Sequence, residues 1–136
     1  MSMEDKMLTV KEVATRVGES DHTIRYYCKM GLFPFLVRDK NNVRKFTKED
    51  LEGVRIVLCL RDTGMPLAEI KRYMALCSKG TSTILERLDI IRNQKEKAYR
   101  QMQELQKKLE NLEWKEQNYL ELIKSGRKDD CNPLEH

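Results

Sequence analysis

Apolar residues recur at helical spacing through most of the chain, and the breaks fall at glycines and prolines. Thr9-Val-Lys-Glu12 has the form of a capping box: the Thr hydroxyl accepts from the Glu12 amide while the Glu12 side chain reaches back. Val10, Val13, Ala14 and Val17 then give a first helix one buried face, and Gly18 stops it. Ser20 is a suitable N-cap for a second helix that buries Ile24 and Tyr27 with part of Cys28. Met30-Gly31-Leu32 ends that helix. Residues 1–8 read as a short, mostly disordered lead.

Between residues 33 and 46 the period changes. Pro34 and Asn41-Asn42 punctuate two β-like pieces, Phe35-Leu-Val37 and Val43-Arg-Lys-Phe46, which predict a small hairpin or wing. Thr47-Lys-Glu-Asp50 is a further helix start, followed by Leu51, Val54, Val57, Leu58 and Leu60, with Gly64 as the stop. Pro66 opens a fourth helix whose inner face holds Leu67, Ile70, Met74 and Cys77. Met65 and Met74 read as gap-filling core residues. Gly80 and the Ser/Thr-rich turn after it break this helix.

From about Ile84 to Ile123 no Gly or Pro intervenes, and the spacing alternates four and three. The seam is Ile84, Leu88, Ile91, Lys95, Ala98, Met102, Leu105, Leu109, Leu112, Glu116, Tyr119 and Ile123. Only Lys95 and Glu116 break its apolar character. A heptad pattern this long is the signature of a coiled coil, and nothing else in the chain is long enough to cover the stripe, which predicts a homodimer. A parallel pair would set Lys95 on Lys95 and Glu116 on Glu116. An antiparallel pair centred near Leu105 or Gln106 brings the two unlike charges towards each other. Trp114 falls outside the seam and is expected to pack on the partner or lie exposed.

The sequence therefore predicts a mostly α fold: a winged helix-turn-helix domain over 7–78, a long C-terminal helix over 81–124 forming an antiparallel dimeric coiled coil, and a flexible tail over 125–136. Leu134-Glu135-His136 resembles the start of a purification tag.

Charge adds a ligand. The chain has formal net charge +4, but residues 22–48 hold seven Lys/Arg against one acid, Asp39. Such a block neutralises phosphates and releases counterions, so it points to double-stranded DNA bound in a salt-sensitive way. The second helix carries Thr23, Arg25, Tyr26 and Lys29 on its outer face, and Arg38, Arg44 and Lys45 lie on or beside the hairpin. These seven are the candidate DNA-binding residues. His22 reads equally as a phosphate contact or a solvated turn residue. The four cysteines (28, 59, 77, 131) form no CxxC pair, and no apolar run approaches membrane-spanning length, so a cytoplasmic location is expected, with no membrane partner. An enzyme is not expected: there is one usable His, no nucleophile–base spacing and no Gly-rich phosphate loop. No cofactor is implied.

Leu8-Thr-Val-Lys-Glu-Val-Ala14, Thr23-Ile-Arg-Tyr-Tyr27 with Gly31-Leu32, Arg44-Lys-Phe46, Asp50-Leu51, Thr63-Gly-Met65 and Glu69-Ile70, taken in this order, resemble the MerR family of transcriptional regulators. The resemblance is close over residues 8–76 and general over the coil. It implies a homodimer that binds a palindromic promoter with an overlong spacer and bends and untwists it, so that RNA polymerase can engage both elements. That is shape readout more than base readout. It also places Thr23, Arg25, Tyr26, Arg38 and Arg44 at the DNA and Tyr27 and Phe46 in the core.

The departures are informative. Cys28 stands where the family usually has Glu, and Phe46 where Tyr is frequent. The chain has no room for the separate effector domain of large-drug-binding members. Where metal-sensing members carry paired thiols it offers only Cys131, and a soft-metal site needs two or more thiolates, so no metal is expected. Cys59 sits in the apolar run Ile56-Val-Leu-Cys-Leu60, where the residues alone predict a small buried hydrophobe. Arg55, one turn earlier, could stabilise its thiolate, and Asp62 opposes this. The segment Cys59-Leu-Arg-Asp-Thr-Gly-Met-Pro66 resembles a subgroup that responds to aldehydes and other thiol-reactive electrophiles, which implies a sensing role for Cys59. Cys28 and Cys77 read as packing residues. Two alternatives stand beside electrophile sensing: an apolar ligand or metal at the dimer junction, or DNA bending without an inducer.

Overall fold

The computed structural model describes residues 7–129 and Leu134. The first six residues of the expected lead, Cys131, and Glu135-His136 of the tag-like end lie outside them. Five helices and one hairpin follow in order: α1 (Val10–Val17), α2 (Asp21–Lys29), β1 (Val37–Arg38), β2 (Arg44–Lys45), α3 (Asp50–Asp62), α4 (Leu67–Ser78), a 3-10 turn at Gly80–Thr83, and α5 (Ile84–Ser125).

The starts and stops follow local chemistry. At α1 the Glu12 amide donates to Thr9 Oγ1 at 3.1 Å and the Thr9 amide donates to Glu12 Oε1 at 3.1 Å. Accepting that backbone N–H holds the Glu12 carboxyl below the usual carboxylate range. Gly18 closes α1 with φ 73°, a left-handed conformation that favours glycine. Ser20 caps α2 by accepting from the Thr23 amide at 3.1 Å. Before α3 the Thr47 amide donates to Asp50 Oδ2 at 2.8 Å and the Asp50 amide to Thr47 Oγ1 at 3.1 Å, a reciprocal pair of the same kind.

The hairpin is shorter than the sequence suggests. Val37 pairs with Lys45 and Arg38 with Arg44, antiparallel. Phe35 and Leu36 do not join β1, because the Leu36 amide closes a turn back to the Phe33 carbonyl. That turn sends the Phe33 and Phe35 rings inward, 5.8 Å apart, and Phe33 meets Phe46 edge-on at 5.9 Å. Phe46 lies beyond β2 and bridges instead to Leu8. Leu8 is therefore buried rather than part of a disordered lead. Asp39 fixes the hairpin turn: its Oδ1 accepts from the Asn41 and Val43 amides at 2.9 Å each.

The core gathers Val13 of α1, Ile24 of α2, Phe46, Val54 and Val57 of α3 and Ile70 of α4, all fully buried. The α3 residues expected inside (Leu51, Val54, Val57, Leu58, Leu60) are inside. In α4, Ile70 and Met74 are buried as expected, Leu67 and Cys77 are half-buried, and Tyr73 and Leu76 join the core as well. Gly53 is a packing glycine: a Cβ there would stand 2.6 Å from the Phe35 ring.

The chain divides into two compact units within α5, one reaching to Lys95 and the other starting at Glu96. In the first, Ile90 and Ile91 pack on the core and Gln94 is buried. Gln94 thus faces the core of its own unit, while the seam residue Lys95 is exposed, like Ile84 and Leu88 of the same seam. In the second unit Met102, Leu105, Leu109, Leu112, Tyr119 and Ile123 are exposed, and so is Trp114 at 61%.

Candidate nucleic-acid interface

Burial of Ile24 and Tyr27 fixes which face of α2 looks outward. His22, Arg25, Tyr26 and Lys29 are exposed on it. Thr23 is only partly exposed, and its hydroxyl accepts from Ser20 Oγ at 2.9 Å. Its side chain is therefore engaged in capping α2. Arg25 converges with the hairpin: a cleft of about 400 Å³ is lined by Thr9, Val10 and Lys11 at the start of α1, by Arg25, and by Arg38, Asn42, Val43 and Arg44. Arg38 Nη1 donates to the Asn42 carbonyl at 3.2 Å. Arg44 is half-buried, and among the described residues its buried Nε has no hydrogen-bond partner, an arrangement that is costly for a charged donor unless an acceptor is supplied. Lys40 and Lys45 line a neighbouring cleft with Met7, Val37 and Asp39.

Cys28 reports the same clustering. Burial pushes its thiol up from the ordinary value, against the pull of the Arg44, Arg38 and Arg25 guanidiniums. The sole acid of the hairpin region, Asp39, is committed to its own turn. The chemistry available is a concave set of cations suited to anionic oxygens, beside an exposed tyrosine, Tyr26, and an exposed histidine, His22.

An ion-pair network that spacing along the chain does not reveal anchors this face. Arg61 near the end of α3 donates to Glu19 Oε1 at 2.6 Å and to the Tyr27 hydroxyl at 3.3 Å, and lies 5.9 Å from the Tyr27 ring centroid. The pairing with Glu19 holds the guanidinium pKa above its ordinary value. Arg61 and Glu19 are 42 positions apart with no shared motif, so periodicity could not connect them.

Cys59 departs from the expectation drawn from its apolar surroundings. Val57, Leu58 and Leu60 are buried and Ile56 half-buried, but Cys59 is exposed. The helical period turns position 59 outward while its neighbours face the core. It lies in a shallow depression with Arg16, Val17, Arg55, Leu58, Asp62 and Thr63. Arg55 is drawn to Glu52 at 3.7 Å.

A family model described as MerR HTH family regulatory protein matches residues 8–77, and one described as MerR, DNA binding matches residues 51–114. An uncharacterized HTH-type transcriptional regulator of Haemophilus influenzae is 39% identical over 107 residues, 79% of this chain and 79% of that protein. The HTH-type transcriptional regulator AdhR of Bacillus subtilis is 26% identical over 90 residues, 66% of this chain and 64% of that one. Among solved structures, a MerR family regulator from Bacillus thuringiensis superposes with TM-score 0.78 at 36% identity, covering 83% of this chain and 99% of that one. HiNmlR, a MerR family regulator lacking the sensor domain, seen bound to promoter DNA, superposes with TM-score 0.80 at 37% identity, covering 88% and 95%.

Proposed function

The chain belongs to the MerR family of helix-turn-helix transcriptional regulators, and from that premise we propose that it binds a palindromic promoter as a homodimer, distorts it for RNA polymerase, and is switched by electrophiles at Cys59. The observation that carries the DNA part is the arginine cleft. Arg25, Arg38 and Arg44 converge around the start of α1, and among the described residues one buried guanidinium donor, Arg44 Nε, lacks a partner. In this reading Arg25, Arg38, Arg44 and Lys45 hold backbone phosphates. Tyr26 and Lys29 face the groove, and Thr23 contributes through the shape of the α2 start, its hydroxyl being engaged with Ser20.

Homodimerisation is supported by the apolar seam that α5 leaves uncovered beyond Lys95. Burying such a stripe at roughly 25 cal/mol per Å² is the ordinary drive for coiled-coil association. The antiparallel arrangement follows from Lys95 and Glu116. A Lys95→Cys variant should resist forming a 95–95 disulfide between protomers, and efficient crosslinking would sink the antiparallel reading.

The sensing step is supported by the exposure of Cys59 on a helix whose other apolar residues are turned inward. The thiolate adds to the carbonyl carbon of an aldehyde. The new S–C bond forms as the carbonyl π pair moves to oxygen, which takes up a proton to give a hemithioacetal, so no oxidant is needed. Such a regulator operates in the cytoplasm, where thiols stay reduced. The test is run-off transcription from the promoter upstream of this protein's own gene, with and without formaldehyde, for wild type and Cys59→Ser. Activation lost in the Ser variant is expected. Equal transcription in all four reactions, with DNA still bound, would remove electrophile sensing while leaving promoter binding intact.

A further inference from the structure

Gln94 is one of two buried polar side chains in the core among the described residues, at 6% exposure. A buried amide is unfavourable unless hydrogen-bonded, and an apolar residue would suit this face of α5 beside Ile90 and Ile91. Gln94 Nε2 makes both of its bonds to one residue, donating to the Thr63 carbonyl at 3.0 Å and to Thr63 Oγ1 at 2.9 Å. Thr63 is the C-cap of α3, where the last carbonyls of a helix lack intrahelical donors. The Thr63 amide donates to the Cys59 carbonyl at 3.1 Å, and its hydroxyl lies 3.1 Å from the Cys59 carbonyl and 3.0 Å from that of Leu60. Thr63 also lines the depression that holds Cys59.

We infer that Gln94 is a positioning residue that pins the end of α3 to the opening turns of α5, and that modification of Cys59 is read out by straining or releasing this pin. The trigger rests on the Cys59 reading; the pin does not. The structure shows the bonded arrangement, and the inference requires a second one. With both bonds made, Nε2 is satisfied and the last turn of α3 is held in register. With them broken, a buried donor is unmatched and the turn is free to shift. An adduct on Cys59 occupies the depression beside Thr63 and biases the second arrangement. Removing the pin by substitution favours that same arrangement, so it acts in the same direction as modifying the thiol.

The test is run-off transcription from the promoter upstream of this protein's own gene, at protein concentrations shown by fluorescence anisotropy to saturate it. Wild type, Gln94→Leu, Thr63→Val, Thr63→Ser and the Gln94→Leu/Cys59→Ser double variant are each compared with and without formaldehyde. Gln94→Leu should shift transcript level at least ~5-fold without formaldehyde, within the usual range for coupled sites, and respond no further to it; Thr63→Val, which loses the Oγ1 bond and keeps the carbonyl one, should shift it in the same direction by less. Thr63→Ser keeps the hydroxyl and should behave as wild type. The double variant should match Gln94→Leu, placing the pin downstream of the thiol. Gln94→Leu and Thr63→Val with wild-type basal output and wild-type response would overturn the inference. If wild type ignores formaldehyde, the Cys59 reading fails; a shifted basal output in Gln94→Leu then still supports the pin, and an unshifted one rejects it. Should circular dichroism show Gln94→Leu unfolded, the Thr63→Val and Thr63→Ser pair decides, and identical behaviour of those two overturns the inference.

Discussion

Substituting Arg61 by Ala removes the anchor between α3 and the helix-turn-helix in one step. Lost with it are the 2.6 Å bond to Glu19, the 3.3 Å bond to Tyr27 and the contact of the cation with the Tyr27 ring. The two charged side chains are 28% and 20% exposed, so solvent screens the pair less than an ordinary surface bridge. Asp62, 64% exposed, adds little. A hydrogen bond to a charged group contributes a net of about 1.5–3 kcal/mol, which puts the loss near ~2 kcal/mol. For a domain of this size that is a fall in Tm of roughly 8–16 °C. The assay is urea unfolding followed by circular dichroism at one fixed protein concentration, since the proposed dimerisation would make the midpoint concentration-dependent. A double-mutant cycle with Glu19→Gln should recover about half or more of the loss as coupling. The folded Arg61 pKa lies above its unfolded value, so its contribution is complete below the ordinary arginine range and should be the same at pH 6 and pH 8. A loss below about 0.5 kcal/mol, the usual limit for neutral surface changes, would refute the assignment of Arg61 as an anchor.

Three further outcomes are expected. Gly53→Ala forces a Cβ to 2.6 Å from the Phe35 ring; overpacking of about 1–3 kcal/mol outweighs the helix preference of Ala by a small margin, and Phe35→Leu in the same background should restore the urea midpoint. Arg44→Gln should weaken promoter binding across all sequences and lower the slope of log K against log salt by about 0.9, the value for one phosphate contact; an unchanged slope would remove Arg44 from the backbone. Burial raises the Cys28 thiol above its ordinary value near 9, so it stays protonated at pH 7.5. In iodoacetamide labelling read by peptide mapping, exposed Cys59 should react roughly tenfold faster than Cys28. A raised thiol stabilises the fold below its unfolded value and loses that contribution as pH climbs through the folded one, so Cys28 labelling should accelerate steeply in the alkaline range; equal rates at pH 7.5 would contradict this.

Much of the N-terminal unit is legible from spacing because its helices are short, capped and amphipathic. Thr9 and Glu12, Ser20 and Gly18 each act where the sequence places them, since capping is a matter of three or four neighbouring residues. The α3 stripe is legible for the same reason. What spacing misses is non-local. The bridge from Leu8 to Phe46 joins residues 38 positions apart, and the Arg61–Glu19 pair spans 42. Cys59 shows the limit of reading composition without phase. Its neighbours are apolar, which predicts burial, yet counting round the helix from Val54, Val57 and Leu58 turns position 59 outward. Gln94 shows what a partner-facing heptad leaves unread. The repeat marks the exposed stripe, while the face of α5 packed on its own unit is set by Ile90 and Ile91, which brings Gln94 inside.

The two thiols of the N-terminal half stand in different surroundings, which would let the proposed DNA contact and the proposed switch be separated on so small a domain. Cys28 is half-buried within the field of Arg44, Arg38 and Arg25, the arginines that line the cleft. Burial and the raised thiol protect it from modification. Cys59 stands on the outward side of α3, away from the arginine cleft, and next to the residue that caps its helix. Chemistry at that thiol costs the core nothing, because no core contact depends on its side chain. In the proposed reading the effect of an adduct is carried by the last turn of α3. Arg61 bonds from that turn to Glu19 and to Tyr27 of α2, and Thr63 accepts from Gln94 on α5. A shift of that turn would bear on α2 and on the opening of α5 together, the pairing that the proposed switch needs.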